Sequence, residues 1–261
     1  MSVAVNHGGI GNAISDSLTM IGRCNRLSRR NLDTLIMSIV LPLLMMALFV
    51  YVFGGAINTG TAYINYVVPG IILLCTGYGA ASTAMAVADD MHSGMIDRLR
   101  SLPIRSFALL TGHVTASVTR NAMSTTVVIG AAIAMAFRPN GTFGEWLLAA
   151  GLLLLYVLAL SWLAAGLGVI AGSVESASVL SFFMLFLPYL SSAFVPTHTM
   201  PSLLHAVSQH QPITPIIETT RGLLTGTPIG NQGWIALAWS IGLLLASFTF
   251  ATWLYRSRTR K

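Results

Sequence analysis

Long apolar runs dominate the hydrophobic pattern of this chain. Each is close to or above the roughly 20 residues that an α-helix needs to cross about 30 Å of hydrocarbon. They cover residues 34–53, 63–88, 107–137, 146–171, 178–195 and 234–254. The pattern predicts an all-α polytopic membrane protein with six transmembrane helices, in a single domain over residues 1–261.

The segment before the first run, about residues 12–32, has the period of an amphipathic helix. One face carries Ile14, Leu18, Ile21 and Cys24, and the opposite face carries Thr19, Arg23, Arg26 and Arg30. We predict an interfacial helix on the inner membrane surface, with Arg23, Arg26 and Arg30 toward lipid phosphates. A basic tail that only sets the topology is the alternative.

A second amphipathic stripe lies between the second and third runs. It is formed by Met95, Ile96, Leu99 and Leu102, with Asp97 and Arg100 on the other side. Pro103 predicts that this helix ends at about Leu102. A helix this short is marginal alone in water, so it needs something to pack on. The membrane surface and a groove on another protein both fit.

The segment 196–233 is too apolar for a free loop and too interrupted for one transmembrane helix. Four of the chain's ten prolines lie near its start: Pro196, Pro201, Pro212 and Pro215. The pattern predicts one or two short helices that dip back toward the bilayer from the outer side, an outer re-entrant segment.

Composition and charge support a membrane protein. Hydrophobic residues make up 54% of the chain and charged residues 8%, with a mean hydropathy of +0.74, whereas soluble domains are about a quarter charged. Basic residues cluster before the first run, between the second and third, and after the sixth, while Arg138 and Arg221 lie on the other side. The positive-inside rule places both termini in the cytoplasm. Arg120, inside the third run, is expected near the cytoplasmic boundary, where its side chain can extend to the membrane surface. A buried functional charge is the alternative.

Motifs for catalysis or cofactor binding are not found. A Walker A loop needs a lysine that reaches the nucleotide phosphates, and the only lysine, Lys261, follows no Gly-rich loop. His198, His205 and His210 fit hydrogen-bonded groups better than metal ligands. We predict no catalytic residue, no metal and no cofactor in this chain, and no nucleic-acid partner.

Small and aromatic residues have several interpretations. Gly168 and Gly172 form a G-x-x-x-G pair, a pattern typical of close helix packing. Aromatic residues in the fifth and second runs are candidates for an apolar substrate path: Phe182, Phe183, Phe186, Tyr189 and Tyr78. Contact with lipid or with a partner chain fits them equally well.

The order of these segments resembles the ABC-2 type permease family, most closely its daunorubicin-resistance-type drug exporters. The resemblance covers almost the whole chain, and its most specific strings are GMIDRLRSLPI (94–104) and QPITPIIETTRGLLTG (211–226). It implies that two permease chains, identical or homologous, pair in a bacterial inner membrane. Two cytoplasmic ABC ATPase subunits, which bind ATP and Mg, would dock on them. One departure is Asp89 and Asp90, where many relatives have a Glu-rich run.

The resemblance also implies roles for individual residues. The loop after the second run would be the coupling helix that contacts the ATPase, formed by Gly94, Met95, Ile96, Asp97, Arg98, Leu99, Arg100, Leu102 and Pro103. The loop 173–178 is a second candidate contact. The matching residues of the outer segment are Pro212, Pro215, Glu218, Arg221 and Gly226.

The resemblance predicts the permease subunit of an ATP-driven exporter for a hydrophobic or amphipathic compound, either a drug or a lipid. Such a subunit is expected not to be an enzyme by itself, because the ATP site would be on a separate chain. A proton-coupled transporter without an ATPase is the alternative, and it would need carboxylates within the membrane. All eight acidic residues fall in loops or at the boundaries of the predicted helices. Export of a polysaccharide or glycolipid by the same family also stays open.

Overall fold

The computed structural model describes residues 10–93 and 107–259. Within these ranges the chain forms helices and connecting turns, without a strand. The α-helices are α1 (Ile10–Arg30), α2 (Leu32–Ala47), α3 (Tyr63–His92), α4 (Phe107–Ala134), α5 (Phe143–Ile170), α6 (Val174–Phe186), α7 (Ser202–His210), α8 (Ile213–Thr225) and α9 (Gln232–Thr259). A π-helix, Leu48–Phe53, continues α2, and a 3-10 helix, Leu187–Leu190, continues α6. The predicted all-helical class is confirmed for the described residues.

Polar residues at the turns explain where α5 and α6 begin. Thr142 and Glu145 form a capping box, in which each side chain accepts a hydrogen bond from the other residue's backbone N–H. Ser173 and Ser176 form the same reciprocal pair at the start of α6. These caps satisfy N–H groups that the first turn of a helix leaves free, so the apolar runs become separate helices.

Within the described residues, four helical segments are long and apolar enough to cross a membrane: Leu32–Phe53, Tyr63–His92, Phe143–Ile170 and Gln232–Arg258. They correspond to the first, second, fourth and sixth predicted runs. The third, α4, has 28 residues but carries the polar residues His113, Arg120 and Asn121. The fifth run differs from the prediction. Its α-helix ends at Phe186, and Pro188, which has no N–H to donate, lies in the following 3-10 helix. The helix expected over 178–195 therefore covers Val174–Leu190 instead, and its last residues have 3-10 geometry.

The α3 helix is the centre of the bundle. It contacts α2, α4, α5, α6 and α8. In an apolar stretch of 18 residues within α3, 72% of the residues are buried, compared with 17% in the corresponding stretch of Leu32–Phe53 and 22% in that of α9. The α1 helix lies along α4, and α9 lies along α5. The apolar faces of α2 and α9 consequently point outward, as expected for helices that face lipid.

Polar contacts define two opposite ends of the bundle. At the α1 end, His92 Nε2 lies 3.0 Å from the Ala171 carbonyl oxygen, and Arg258 Nη2 donates to the Ile170 carbonyl oxygen at 3.4 Å. At the α8 end, the Arg138 backbone N–H donates to Asn65 Oδ1 at 3.2 Å. Basic residues that the sequence analysis assigned to opposite sides of the membrane thus lie at opposite ends of the bundle.

The two short helices predicted for the outer segment are α7 and α8. The α8 helix is buried along most of its length and contacts α3, α5, α7 and α9. It ends at Gly226, whose φ of 69° is the left-handed conformation that glycine adopts at little cost. The α7 helix is more exposed, with Leu203 at 75% exposure.

Gly168 allows α5 to approach α3 closely. A Cβ at this position would lie 2.5 Å from the Ala84 carbonyl oxygen and 2.8 Å from Val87 Cβ. Gly172 lies beyond the end of α5, with no heavy atom within 4 Å of its would-be Cβ. The close packing expected of the pair therefore falls on Gly168 alone.

We expect Gly168→Ala to lower the thermal midpoint of the purified protein in detergent. The added methyl group would force α5 away from α3, and overpacking of this kind costs about 1–3 kcal/mol. Gly151→Ala on the same helix is the matched control, because nothing lies within 4 Å of its would-be Cβ. It should be neutral or stabilising by up to about 1 kcal/mol. Equal losses in both variants would contradict the packing role of Gly168.

Candidate functional site at the α1 end

Asp90, in the last turn of α3, is the centre of a charged cluster. Its carboxylate accepts two hydrogen bonds from Arg23 of α1, Nη1 to Oδ2 and Nη2 to Oδ1, both at 2.9 Å. His113 of α4 donates from Nε2 to Oδ2 at 2.8 Å. Bidentate pairing between a guanidinium and a carboxylate is among the strongest polar contacts in proteins. One carboxylate therefore joins three helices.

The close approach of α1 to α4 depends on Gly112. A Cβ there would lie 3.0 Å from the Met20 carbonyl oxygen and from Cys24 Sγ. Burial raises the pKa of the Cys24 thiol to about 11, so this thiol stays protonated at neutral pH. The hydrogen bond from Arg23 to Asp90 raises the pKa of Arg23 above its usual value. The polar contact is thus embedded in a tightly packed junction.

The arginines predicted to face lipid phosphates have different surroundings. Arg23 turns inward to Asp90, since a carboxylate at this junction offers two aligned acceptors. Arg26 is exposed, and its Nε donates to the Gly22 carbonyl oxygen at 3.2 Å. The side chain of Arg30 lies outside the described residues. The periodicity of α1 gave no signal for the Asp90 contact, because the carboxylate comes from another helix.

Arg120 is buried inside the bundle, with 7% of its surface exposed. Its Nη2 donates to the Gly79 carbonyl oxygen at 2.8 Å and to Thr83 Oγ1 at 2.9 Å, and its Nη1 donates to Ser28 Oγ at 3.1 Å. Among the described residues no carboxylate pairs with it, and its Nε has no hydrogen-bond partner. The side chain is buried rather than extended to the cytoplasmic boundary. It binds neutral groups of α1 and α3.

A cavity of about 620 Å³ lies beside these side chains. Its wall includes the buried residues Thr83, Asp90, His113 and Arg120, and its rim includes the exposed Asp89. The lining comes from α1, α2, α3, α4 and α6, so no short motif could have predicted it. Arg120 inside an apolar run was the one available signal.

The residues predicted for the coupling helix lie outside the described residues: Gly94, Met95, Ile96, Asp97, Arg98, Leu99, Arg100, Leu102 and Pro103. The described chain stops on either side of them, at residues 93 and 107, both at the α1 end. The contact of His92 with Ala171 brings the end of α3 next to the turn that precedes α6. The second candidate ATPase contact, predicted as a loop over 173–178, is instead the N-cap and first turns of α6, because Ser173 and Ser176 cap that helix.

The aromatic residues of the predicted substrate path form an outward face. Phe182, Phe183, Phe186 and Tyr189 are 54%, 72%, 48% and 37% exposed. The rings of Phe182 and Phe186 are 4.7 Å apart, and those of Phe186 and Tyr189 are 6.0 Å apart. Tyr78 on α3 is half-buried against the core. None of these residues lines the 620 Å³ cavity, so any path along them would be open on this chain alone.

Arg221 organises the α8 end. Its guanidinium carbon lies 3.7 Å from the centre of the Tyr66 ring, an arrangement that allows cation–π attraction. Its Nε donates to the Tyr66 carbonyl oxygen at 3.0 Å, and its Nη2 donates to the Ser192 carbonyl oxygen at 2.7 Å. Its Nη1 lies 2.7 Å from Glu218 Oε1, close enough for an ion pair but not aligned as a hydrogen bond.

The prolines and the glycine of this segment lie at the two ends of α8. Pro212 is the N-cap of α8, Pro215 is buried in its first turn, and Gly226 ends it. Of the outer residues singled out in the sequence, Glu218 and Arg221 contact each other, and Arg221 fastens α8 to α3. The structure thus brings these predicted residues together on one short helix.

Comparison with known proteins defines the class. The sequence profile of the ABC-2 type transporter family matches residues 17–225, so the chain belongs to this family, as predicted. The family is that of ABC transporter permease subunits, which lack the ATPase site and associate with an ABC ATPase.

The chain is similar in sequence to two drug-resistance permeases and to one putative transport permease. The chain is 31% identical over 237 residues to the daunorubicin resistance ABC transporter permease protein DrrB1 of Streptomyces coeruleorubidus, covering 89% of this chain and 80% of the relative. It is 24% identical over 222 residues to the probable doxorubicin resistance ABC transporter permease protein DrrC of Mycobacterium tuberculosis, covering 82% and 78%. It is 26% identical over 231 residues to the putative transport permease ycf38 of Porphyra purpurea, covering 83% and 78%.

We expect Asp90→Asn to destabilise the protein, because it removes the charge that Arg23 and His113 share. Breaking a fully buried ion pair costs about 3–5 kcal/mol. Since 26% of the Arg23 side chain is exposed, a loss of roughly 2 kcal/mol is more appropriate here.

The neighbouring variant Asp89→Asn is the control, because Asp89 is exposed and should change stability by less than about 0.5 kcal/mol. Thermal unfolding in detergent compares the two. If both variants unfold like the wild type, the Asp90 cluster does not hold the α1 end together.

Proposed function

We propose that this chain is the membrane-spanning permease subunit of an ATP-driven exporter in a bacterial inner membrane, with both termini cytoplasmic. It would move a hydrophobic or amphipathic compound out of the cytoplasm or the inner leaflet. The similarity to a daunorubicin resistance permease over 89% of the chain carries the proposal. ATP and Mg would be bound by two copies of a separate ABC ATPase, and a second permease chain, identical or homologous, would complete the transporter.

The coupling segment would transmit movement through α3. Met95, Leu99 and Leu102 would fill a groove on the ATPase, and the nearby charges would set specificity at its rim. The contact between His92 and Ala171 supports this arrangement, because it links the start of the segment to the turn before α6. Closure of the ATPase pair would then displace α3 and α6 together, as a rigid-body switch between two states.

The aromatic face of α6 is the proposed substrate path. Its exposed phenylalanines suit an apolar compound, and a second permease chain placed opposite would enclose them. The α8 helix would be the re-entrant part of the outer segment. Its attachment to α3 through Arg221 and Tyr66 supports a fixed position at the exit.

Proton-coupled transport is the second candidate, and one observation favours it. Asp90 is buried in the last turn of α3 beside His113, whereas the sequence pattern placed it at the boundary of the second run. However, two aligned hydrogen bonds from Arg23 stabilise the ionised carboxylate, which opposes a role as a proton carrier. An uncoupler that abolishes export while cellular ATP is maintained would favour this candidate over the ATP-driven one.

The ATP-driven proposal is tested with Leu99→Asp and Leu102→Asp. When the purified chain is reconstituted in nanodiscs and its separately purified ABC ATPase is added, each variant should remain inserted but should lose substrate-stimulated ATP turnover. A charge placed in an apolar groove weakens docking by several kcal/mol, which corresponds to about a hundredfold or more in affinity.

Leu203→Asp is the matched control, because Leu203 is a highly exposed leucine at the α8 end. It should leave ATP turnover unchanged. Export that continued in cells lacking every ABC ATPase that binds this chain would exclude the proposed function.

A further inference from the structure

We propose that the 620 Å³ cavity at the α1 end binds the phosphate group of a membrane phospholipid, and that Arg120 contacts this phosphate. The proposal concerns a lipid site distinct from the aromatic path of α6. It requires only that the chain lies in a bilayer, and it does not depend on which compound is transported.

The charge balance of the cavity points to an anionic ligand. Asp90 is already satisfied by Arg23 and His113, which donate three hydrogen bonds to it. Arg120 is 7% exposed and binds only a carbonyl and two hydroxyl groups, with its Nε unpartnered. A buried charge is costly unless it is paired. The cavity therefore contains one buried cation whose charge no described carboxylate balances.

The rest of the lining suits an amphiphilic molecule. Asn31 and Thr34 provide an amide and a hydroxyl group that can donate hydrogen bonds to phosphate oxygens, whereas the Ser82 hydroxyl already donates to the Tyr78 carbonyl oxygen at 3.0 Å. Leu27 and Met85 provide apolar surface for the glycerol end of the acyl chains. A guanidinium group matches phosphate geometry well and is more weakly hydrated than an ammonium group, which favours it at a partly buried phosphate site. A free inorganic anion would leave the apolar part of the wall uncovered.

The cavity extends from the interior of the bundle to its α1 end. With 30 and 28 residues, α3 and α4 are about 45 Å and 42 Å long at 1.5 Å per residue. They exceed the hydrocarbon thickness of about 30 Å. Arg120 lies 13 residues from the start of α4, about 20 Å along the helix axis. This position is close to the middle of α4, and the cavity extends from there to Asp89 at the exposed rim, so a phosphate bound by Arg120 would lie inside the bundle and would be reached through the opening beside Asp89.

Asp89 does not oppose this assignment. It is exposed at the rim, whereas Arg120 is buried deeper in the wall. Asp89 and Thr83, which binds Arg120, are six residues apart on α3, about 9 Å along the axis. Solvent screens an exposed charge over such a distance. The buried cation is therefore the dominant charge where the phosphate would bind.

The test uses the purified full chain in detergent and follows its thermal midpoint as lipid is added. The probes are phosphatidylglycerol and diacylglycerol with identical acyl chains, so that only the phosphoglycerol headgroup differs. Phosphatidylglycerol should raise the midpoint at concentrations about tenfold lower than diacylglycerol does. The reason is that a hydrogen bond to a charged group strengthens binding by about tenfold. In Arg120→Gln this preference should fall below about twofold.

Arg138→Gln is the matched control, because Arg138 is an exposed arginine at the opposite end, and it should keep the wild-type preference. Ala86→Trp, at the exposed rim of the cavity, should abolish the preference by filling the site, which provides a second test if Arg120→Gln does not fold. Equal responses of the wild type to both lipids would overturn the proposal, and so would a preference retained when the site is filled. A midpoint shift of the same size with inorganic phosphate alone would assign the site to a free anion instead.

Discussion

The bidentate contact between Arg23 and Asp90 is the interaction on which the α1 end depends. An amphipathic helix at a membrane surface is free to rotate about its axis and to slide, because lipid contacts are not directional. Two aligned hydrogen bonds to one carboxylate remove both freedoms. With α1 fixed in this way, Ser28 accepts a hydrogen bond from Arg120, and residues of α1 form one side of the cavity. Gly112 then allows α1 to pack closely on α4 beside this contact.

The two ends of the bundle use the same chemistry in different forms. At the α1 end, α3 offers a carboxylate, and at the α8 end it offers the carbonyl oxygen and ring of Tyr66. In each case an arginine from a shorter helix binds to the long central one. Polar contacts are well suited to this, because lipid removes the hydrophobic advantage of packing one apolar helix on another. Directional contacts therefore set the positions of the helices that do not span.

The long helices could be predicted from the sequence, because a run of about 20 apolar residues leaves few alternatives. The change from α-helix to 3-10 helix in the fifth run could be predicted from the sequence only in part. Pro188 is no more disruptive by sequence than Pro69, which lies inside α3, and neighbouring structure decides which proline ends a helix. The inward turn of Arg23 and the burial of Arg120 depend on partners 67 and 41 residues away. Periodicity describes one face of one helix, so it cannot supply such partners.

Because α3 is buried along most of its length, it is expected to resist bending. A helix surrounded by five others cannot bend locally without disturbing all of them. A force applied near His92 would therefore tilt the whole helix, and a tilt of about 5° over its 45 Å length displaces the far end by roughly 4 Å. Tyr66, which holds Arg221 and hence α8, lies near that far end. The stiffness of one helix thus connects the two faces of the membrane mechanically.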